Sequence, residues 1–219
     1  VKAAVFDLDG TLIDSAPDIH AAVNRMLAEE GLPRLDLATV TGFIGNGLPR
    51  LVERVIDRLG VAPDQHARLT QRTLVLYNAQ PSALSRPFPN LAGALDALRA
   101  QGWALGVCTN KPLAPARDIL RDFGLDGHFA AVVGGDCLAV KKPDPAPLTL
   151  AFERLGAARG LFVGDSEIDA ETAARAGVPF ALFTEGYRKR PVAELPHSFA
   201  FSDFAELAAL AGGALDRAG

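Results

Sequence analysis

From Asn90 onward the chain alternates short, unbroken apolar runs with amphipathic stretches closed by glycine, and this rhythm restricts the fold more than any other feature. The runs Ala104 to Cys108, Ala130 to Val133, Gly160 to Val163, Phe180 to Phe183 and Phe199 to Phe201 lack the polar alternation of a half-exposed strand. They read as strands buried on both faces. Between them, helices are predicted over 90–101, 113–123, 145–155 and 167–176, stopped by Gly102, Gly124, Gly156 and Gly177, with a last helix starting at Asp203. Alternation of this kind predicts an α/β fold, a doubly wound, Rossmann-like parallel sheet with helices on both faces.

One apolar run, Ala3 to Phe6, lies far upstream of that pattern, and the segment after it has a different texture. Ser15-Ala16-Pro17-Asp18 reads as a helix start, with a capping serine, an early proline and an aspartate three residues on; the helix should run to about Glu30 and stop at Gly31. Apolar residues at three and four spacing recur over Asp36 to Phe43, Leu48 to Leu59 and Pro63 to Asn78, broken at Gly45, Gly47 and Gly60. Pro81-Ser82 and Arg86-Pro87-Phe88-Pro89 form a connector that cannot continue a helix. The expected organisation is a discontinuous α/β core, 1–14 and 86–219, with a small all-helical cap, 15–85, inserted over the sheet edge where it could serve as a lid.

Open parallel sheets bind ligands at the carboxyl ends of their strands, and the polar clusters of this chain fall there. The first strand runs into Asp7-Leu8-Asp9-Gly10-Thr11. If it continues in extended form, Asp7 and Asp9 point to one side and repel unless a cation or a proton intervenes. Alone, Asp9-Gly10 would equally be an ordinary turn. Later runs end in Thr109-Asn110-Lys111, Gly134-Gly135-Asp136 and Gly164-Asp165-Ser166. If Ser166 caps a helix, Asp165 and Asp169 can approach the space near Asp7, and three carboxylates gathered there require a cation. Oxygen ligands with no Cys or His nearby select Mg²⁺ over zinc. Lys142, before a proline-stiffened helix start, supplies the opposite charge and can hold a phosphoryl oxygen, with Thr109 and the amides of Leu8 and Asn110 as further donors.

Composition excludes other classes. A net charge of −4 over 219 residues leaves no basic surface for nucleic acid, and the run Arg188-Lys189-Arg190 is too short to supply one. No stretch approaches the roughly 18 apolar residues of a membrane span. Cys108 and Cys137 are far apart and form no CxxC pair, which fits a reduced compartment; with no secretion-type signal at the N-terminus, a cytoplasmic location is expected. There is no GxxxxGK[ST] loop, and Gly45-Asn46-Gly47 lacks the third glycine of a dinucleotide fingerprint.

Taken in order, Asp7-Leu8-Asp9-Gly10-Thr11, Thr109, Lys142 and Gly164-Asp165-Ser166 with Asp169 resemble the four motifs of the haloacid dehalogenase superfamily of aspartate-dependent phosphatases. The resemblance covers nearly the whole chain. It implies Asp7 as nucleophile, Asp9 as general acid and then base, and Thr109 and Lys142 as the groups that bind and orient the phosphoryl group. It also implies a Mg²⁺ site drawn from Asp7, Asp9 (through the backbone around Leu8 and Asp9) and Asp165, with Asp169 as an outer ligand or an orienting group.

Less specific stretches, Phe43-Ile44-Gly45-Asn46-Gly47, Thr109-Asn110-Lys111-Pro112, Gly134-Gly135-Asp136 and Lys141-Lys142-Pro143-Asp144-Pro145-Ala146-Pro147, are similar to the bacterial phosphoglycolate phosphatase branch of that family. A small phosphorylated metabolite is therefore the expected partner, with the glycolate carboxylate read from the cap by amides around Gly45, Asn46 and Gly47 or by Arg50. Phosphatases of other small esters, including sugar phosphates, nucleotides and pyrophosphate, a sugar phosphomutase and a phospho-accepting signalling domain remain alternative readings. The sequence leaves monomer and homodimer equally open.

Overall fold

The computed structural model describes residues 1–80, 82–157 and 159–217; Pro81, at the start of the proline-rich connector, Ala158, and the terminal 218–219 lie outside the described residues. Six parallel strands, β1 (Lys2–Phe6), β4 (Trp103–Cys108), β5 (Ala131–Val133), β6 (Arg159–Gly164), β7 (Phe180–Phe183) and β8 (Phe199–Phe201), form one sheet in the order β5-β4-β1-β6-β7-β8. The chain leaves β1 toward β4 and β5 on one side and later fills the other with β6, β7 and β8. The switch point therefore falls at β1, where a crevice opens above the strand ends.

Alternation along β1 distributes its side chains to two cores. Ala4 and Phe6 join the side that holds Leu95 and Leu98 of α5 (Leu91–Ala100), Ile119 of α6 (Leu113–Asp122) and Leu207 of α9 (Leu207–Arg217). Ala3 and Val5 join the other, with Leu148 and Phe152 of α7 (Ala146–Arg154) and Ala170 and Ala173 of α8 (Glu167–Ala176). All four β1 residues are fully buried, as a strand covered on both faces demands.

Between β1 and the rest of the sheet lie four helices, α1 (Ala16–Glu29), α2 (Leu37–Thr41), α3 (Leu48–Leu59) and α4 (His66–Ala79), which close a third core around Val23, Met26, Val52, Val55 and Leu69. The two chain crossings into and out of this helical layer are not plain connectors. Ile13–Asp14 (β2) and Arg86–Pro87 (β3) pair antiparallel, with Asp14 opposite Arg86, and Phe88 N–H donates to Leu12 O. The helix does start after Ser15, with Pro17 in its first turn, but the capping role given to the serine side chain is corrected. Its hydroxyl donates to Asp9 at 2.6 Å instead of capping α1. The buried carboxylate of Asp18 accepts from the amides of Leu84 and Ser85 and from the Ser85 hydroxyl, fastening α1 to the returning crossing.

Candidate active site

Asp7, Thr109 and Asp165 directly follow β1, β4 and β6, three adjacent strands, so the sheet itself brings them to one place. Asp7 N–H still donates to Val163 O, but the extended form ends there. Leu8 O accepts from the amides of Thr11, Leu12 and Ile13, and Gly10 turns at φ 90°. That φ favours glycine, and a Cβ on Gly10 would lie 2.6 Å from Asp165 Oδ2. The strand therefore does not continue through Asp9, although Asp7 and Asp9 still line one cleft. The Leu8 side chain is driven into the core, leaving only its backbone at the site.

Carboxylate oxygens of Asp7, Asp165 and Asp169, all buried, lie within 4.8 Å of one another. Among them sits the Lys142 ammonium, 2.8 Å from Asp7 Oδ1 and 2.6 Å from Asp169 Oδ1. Three carboxylates against one ammonium leave two negative charges uncompensated when all are ionised, and the donors are all oxygen; the cluster fits a hard divalent cation. Asp9 is not in this group. Its side chain goes to Lys111 at 2.9 Å and to Ser15, because the turn at Gly10 has swung it toward the helical layer.

The partners of each acid distinguish their duties. Asp165 accepts from the Thr11 hydroxyl at 2.7 Å and from Tyr187 N–H at 2.6 Å, which fixes its plane. One oxygen of Asp169 closes a capping box with Ser166 at the start of α8 while the other holds Lys142, so it is engaged on both sides by the protein and suited to orienting its neighbours. A Cβ on Gly164 would lie 2.5 Å from the Asp169 Cβ, so only glycine admits this approach of α8 to the end of β6.

Burial pushes the Asp7 carboxyl up to about 7 despite Lys142, and raises Asp165 well above the carboxylate range, again mainly by desolvation with Asp169 and Asp7 adding repulsion. Burial works against the charge of Lys142, yet Asp169 and Asp7 outweigh it and its pKa is raised. Burial thus disfavours the ionised forms of Asp7 and Asp165, a cost that a bound cation would offset.

Thr109 is buried at the end of β4 and its Oγ1 accepts from Lys111 N–H. The Asn110 side chain ties three segments together, donating to Gly45 O at 3.0 Å and Lys142 O at 3.1 Å while accepting from Lys142 N–H. A cleft between sheet and helical layer is lined by Asp7, Asp9, Thr109, Asn110 and Lys111 below and by Ile19, Ile44, Gly45, Gly47, Leu51 and Tyr77 above. Asn46 and Arg50 do not line it. The Asn46 side chain accepts from Arg54, and Arg50 is exposed and paired with Glu53. The acid of the β5 end is structural: Asp136 accepts from Leu113 N–H and caps α6.

Sequence reasoning passed over Lys111, Tyr77, Thr11 and Tyr187. Thr11 and Lys111 had a signal, since each sits in a strand-end cluster singled out for its neighbours; the two tyrosines had none, because their approach depends on tertiary packing. Cys108 and Cys137 are free, and burial pushes the Cys108 thiol up to about 12.

Residues 1–177 match the model of the haloacid dehalogenase-like hydrolase family. A phosphoglycolate phosphatase from Cereibacter sphaeroides is 54% identical over 209 residues, covering 94% of this chain and 96% of its own. One from Rhodospirillum rubrum is 45% identical over 94% of this chain and 89% of its own. The crystal structure of a predicted phosphoglycolate phosphatase from Haemophilus somnus superposes with a TM-score of 0.90 at 34% identity, covering 95% of this chain and 96% of that one. Acids at the ends of β1 and β6, a lysine between them and agreement along almost the full length lead to one statement: the chain belongs to the haloacid dehalogenase-like hydrolase family.

Proposed function

We propose that the protein is a Mg²⁺-dependent phosphomonoesterase that hydrolyses 2-phosphoglycolate to glycolate and phosphate through an aspartyl-phosphate intermediate, with residues 15–85 as a cap over a core formed by 1–14 and 86–219. The observation that carries this reading is the grouping of Asp7, Asp165 and Asp169 around the Lys142 ammonium at the switch point of the sheet. Similarity to phosphoglycolate phosphatases over nearly the full length supports the substrate. The free cysteines fit work in the cytoplasm.

Asp7 is the attacking group: a carboxylate oxygen forms a bond to phosphorus as the bond from phosphorus to the ester oxygen breaks. Asp9, held on the cleft side by Lys111 and Ser15, delivers its proton to the departing alkoxide. Water then attacks the aspartyl phosphate and gives a proton to Asp9, releasing phosphate and restoring the Asp7 carboxylate. Lys142 and Thr109 hold phosphoryl oxygens in both steps. Mg²⁺ held by Asp7 and Asp165, with Asp169 setting their orientation, would supply the positive charge that lets an anionic carboxylate approach an anionic phosphate. Around the ester, the apolar roof of Ile19, Ile44 and Leu51 excludes bulk water.

Phosphate release from 2-phosphoglycolate, measured with Mg²⁺ beside a panel of sugar phosphates, nucleotides and pyrophosphate, tests the proposal. Phosphoglycolate is expected to give the highest kcat/KM, and Asp7→Asn to lower turnover by roughly 10⁴-fold or more while inorganic phosphate still binds. Full turnover by Asp7→Asn would refute the nucleophile, and a better ester in the panel would replace the substrate.

A further inference from the structure

Lys111 is the one basic side chain lining the cleft among the described residues. Its side chain is 9% exposed, and the ammonium lies 2.9 and 3.3 Å from the two oxygens of Asp9 and 4.7 Å from the centre of the Tyr77 ring. Burial opposes its charge, but Asp9 sustains it, and its pKa is raised. An ammonium carries three donors, and the Asp9 carboxylate occupies only one side of it. Tyr77 lines the same cleft from α4. Its hydroxyl is buried, with the residue 7% exposed, and lies near the Lys111 ammonium without meeting it, or any other described group, in hydrogen-bond geometry. A buried hydroxyl without a partner carries a desolvation penalty, so a polar group left waiting beside a cation calls for a ligand.

We propose that Lys111 and Tyr77 form the subsite for the carboxylate of the leaving group, so that selectivity for an acidic alcohol is set by the loop after β4 and by α4. This rests on the reading of the protein as a phosphatase of 2-phosphoglycolate. In that ester the carboxylate is only one carbon removed from the oxygen that Asp9 protonates. A cation bonded to Asp9 therefore stands beside the carboxylate whenever the ester oxygen stands beside Asp9. The apolar side chains of the roof, Ile19, Ile44, Leu48, Leu51 and Leu74, can enclose a methylene but cannot hold an anion. Arg50, paired with Glu53 outside the cleft, is not the reader.

The test compares kcat/KM for 2-phosphoglycolate with that for ethyl phosphate, whose alcohol portion is of similar length but uncharged, in wild type, Lys111→Met, Lys111→Arg and Tyr77→Phe. Wild type is expected to favour the acidic ester. Lys111→Met should reduce the phosphoglycolate-to-ethyl-phosphate ratio about 10- to 100-fold, as for one hydrogen bond to a charged group, mainly through KM. Tyr77→Phe should reduce it about 5-fold, and Lys111→Arg should recover part of it. Inhibition by inorganic phosphate reports whether the core of each variant is intact, and Tyr77→Phe, which removes one oxygen, keeps the test open should Lys111→Met fail to fold. A ratio unchanged in Tyr77→Phe and in a folded Lys111 variant overturns the subsite while leaving the substrate standing. No preference for the acidic ester in wild type overturns the substrate, and the subsite with it.

Discussion

The two sides of the cleft are built on opposite principles. Below, the ends of β1, β4 and β6, with the segment between β5 and α7, present acids and lysines that are buried and mutually hydrogen-bonded. Above, the helical layer offers mainly apolar side chains to the cleft, and Arg50 and Glu53 pair with each other on its exposed surface. Chemistry that acts on every phosphate ester therefore belongs to the lower side, whereas the upper side gives shape and dryness. Changes below should alter turnover and metal dependence, and changes above should act weakly or only on the choice of ester.

The largest effect that would sharpen this contrast is the coupling of pH to metal binding on the lower side. Asp7 has an ordinary pKa of 3.8 and is raised to about 7 in the fold, with Asp165 raised as well. In the folded, metal-free protein the neutral carboxyls are favoured. Their contribution to stability is complete below about pH 4, declines as pH rises and is lost above about 7. A divalent cation binds the ionised form and reverses the loss. Melting temperatures taken in EDTA and in excess Mg²⁺ from pH 5 to 8 should therefore diverge as pH rises and level off above about 7. A constant separation across that range would mean that the acids do not form the cation site.

Between the two sides lies the junction of the crossings, where the second effect is expected. Asp18 is buried and accepts from two amides and one hydroxyl of the Leu84-Ser85 crossing. Asp18→Ala leaves those donors unpaired and should cost about 2–3 kcal/mol, read as a melting temperature lower by several degrees. Because Asp18 does not line the cleft, kcat at a temperature well below melting should change far less than stability. A variant that melts normally and turns over slowly would invert the assignment.

The same contrast explains what the sequence disclosed. The strands and the acids at their ends were legible because they rest on local signals: apolar runs such as Phe180 to Phe183 and the punctuation of Gly164-Asp165-Ser166. The β2 and β3 pair was hidden, since two residues on each side carry no period and their partners are about seventy positions apart. The duty of Asp18 was misread for a related reason: an aspartate three residues after a serine looks like a capping box whether its donors are local or distant. For Lys111, nothing in its neighbourhood separates it from Lys141, which is exposed, and only the approach of Asp9 and Tyr77 gives it a role.

The smallest effect is expected at Arg50, and it tests the upper side most directly. An arginine on the helix beside the glycines of the helical layer has the charge to read a carboxylate, and the sequence offered it as a reader. Its guanidinium instead pairs with Glu53 one turn away, with its side chain 63% exposed, where such pairs contribute roughly 0–1 kcal/mol. Arg50→Ala should therefore leave kcat/KM within about twofold on both phosphoglycolate and ethyl phosphate, and melting within about a degree or two. A loss confined to phosphoglycolate would require Arg50 to swing into the cleft during turnover, and would return the reading of the carboxylate from Lys111 to the helical layer.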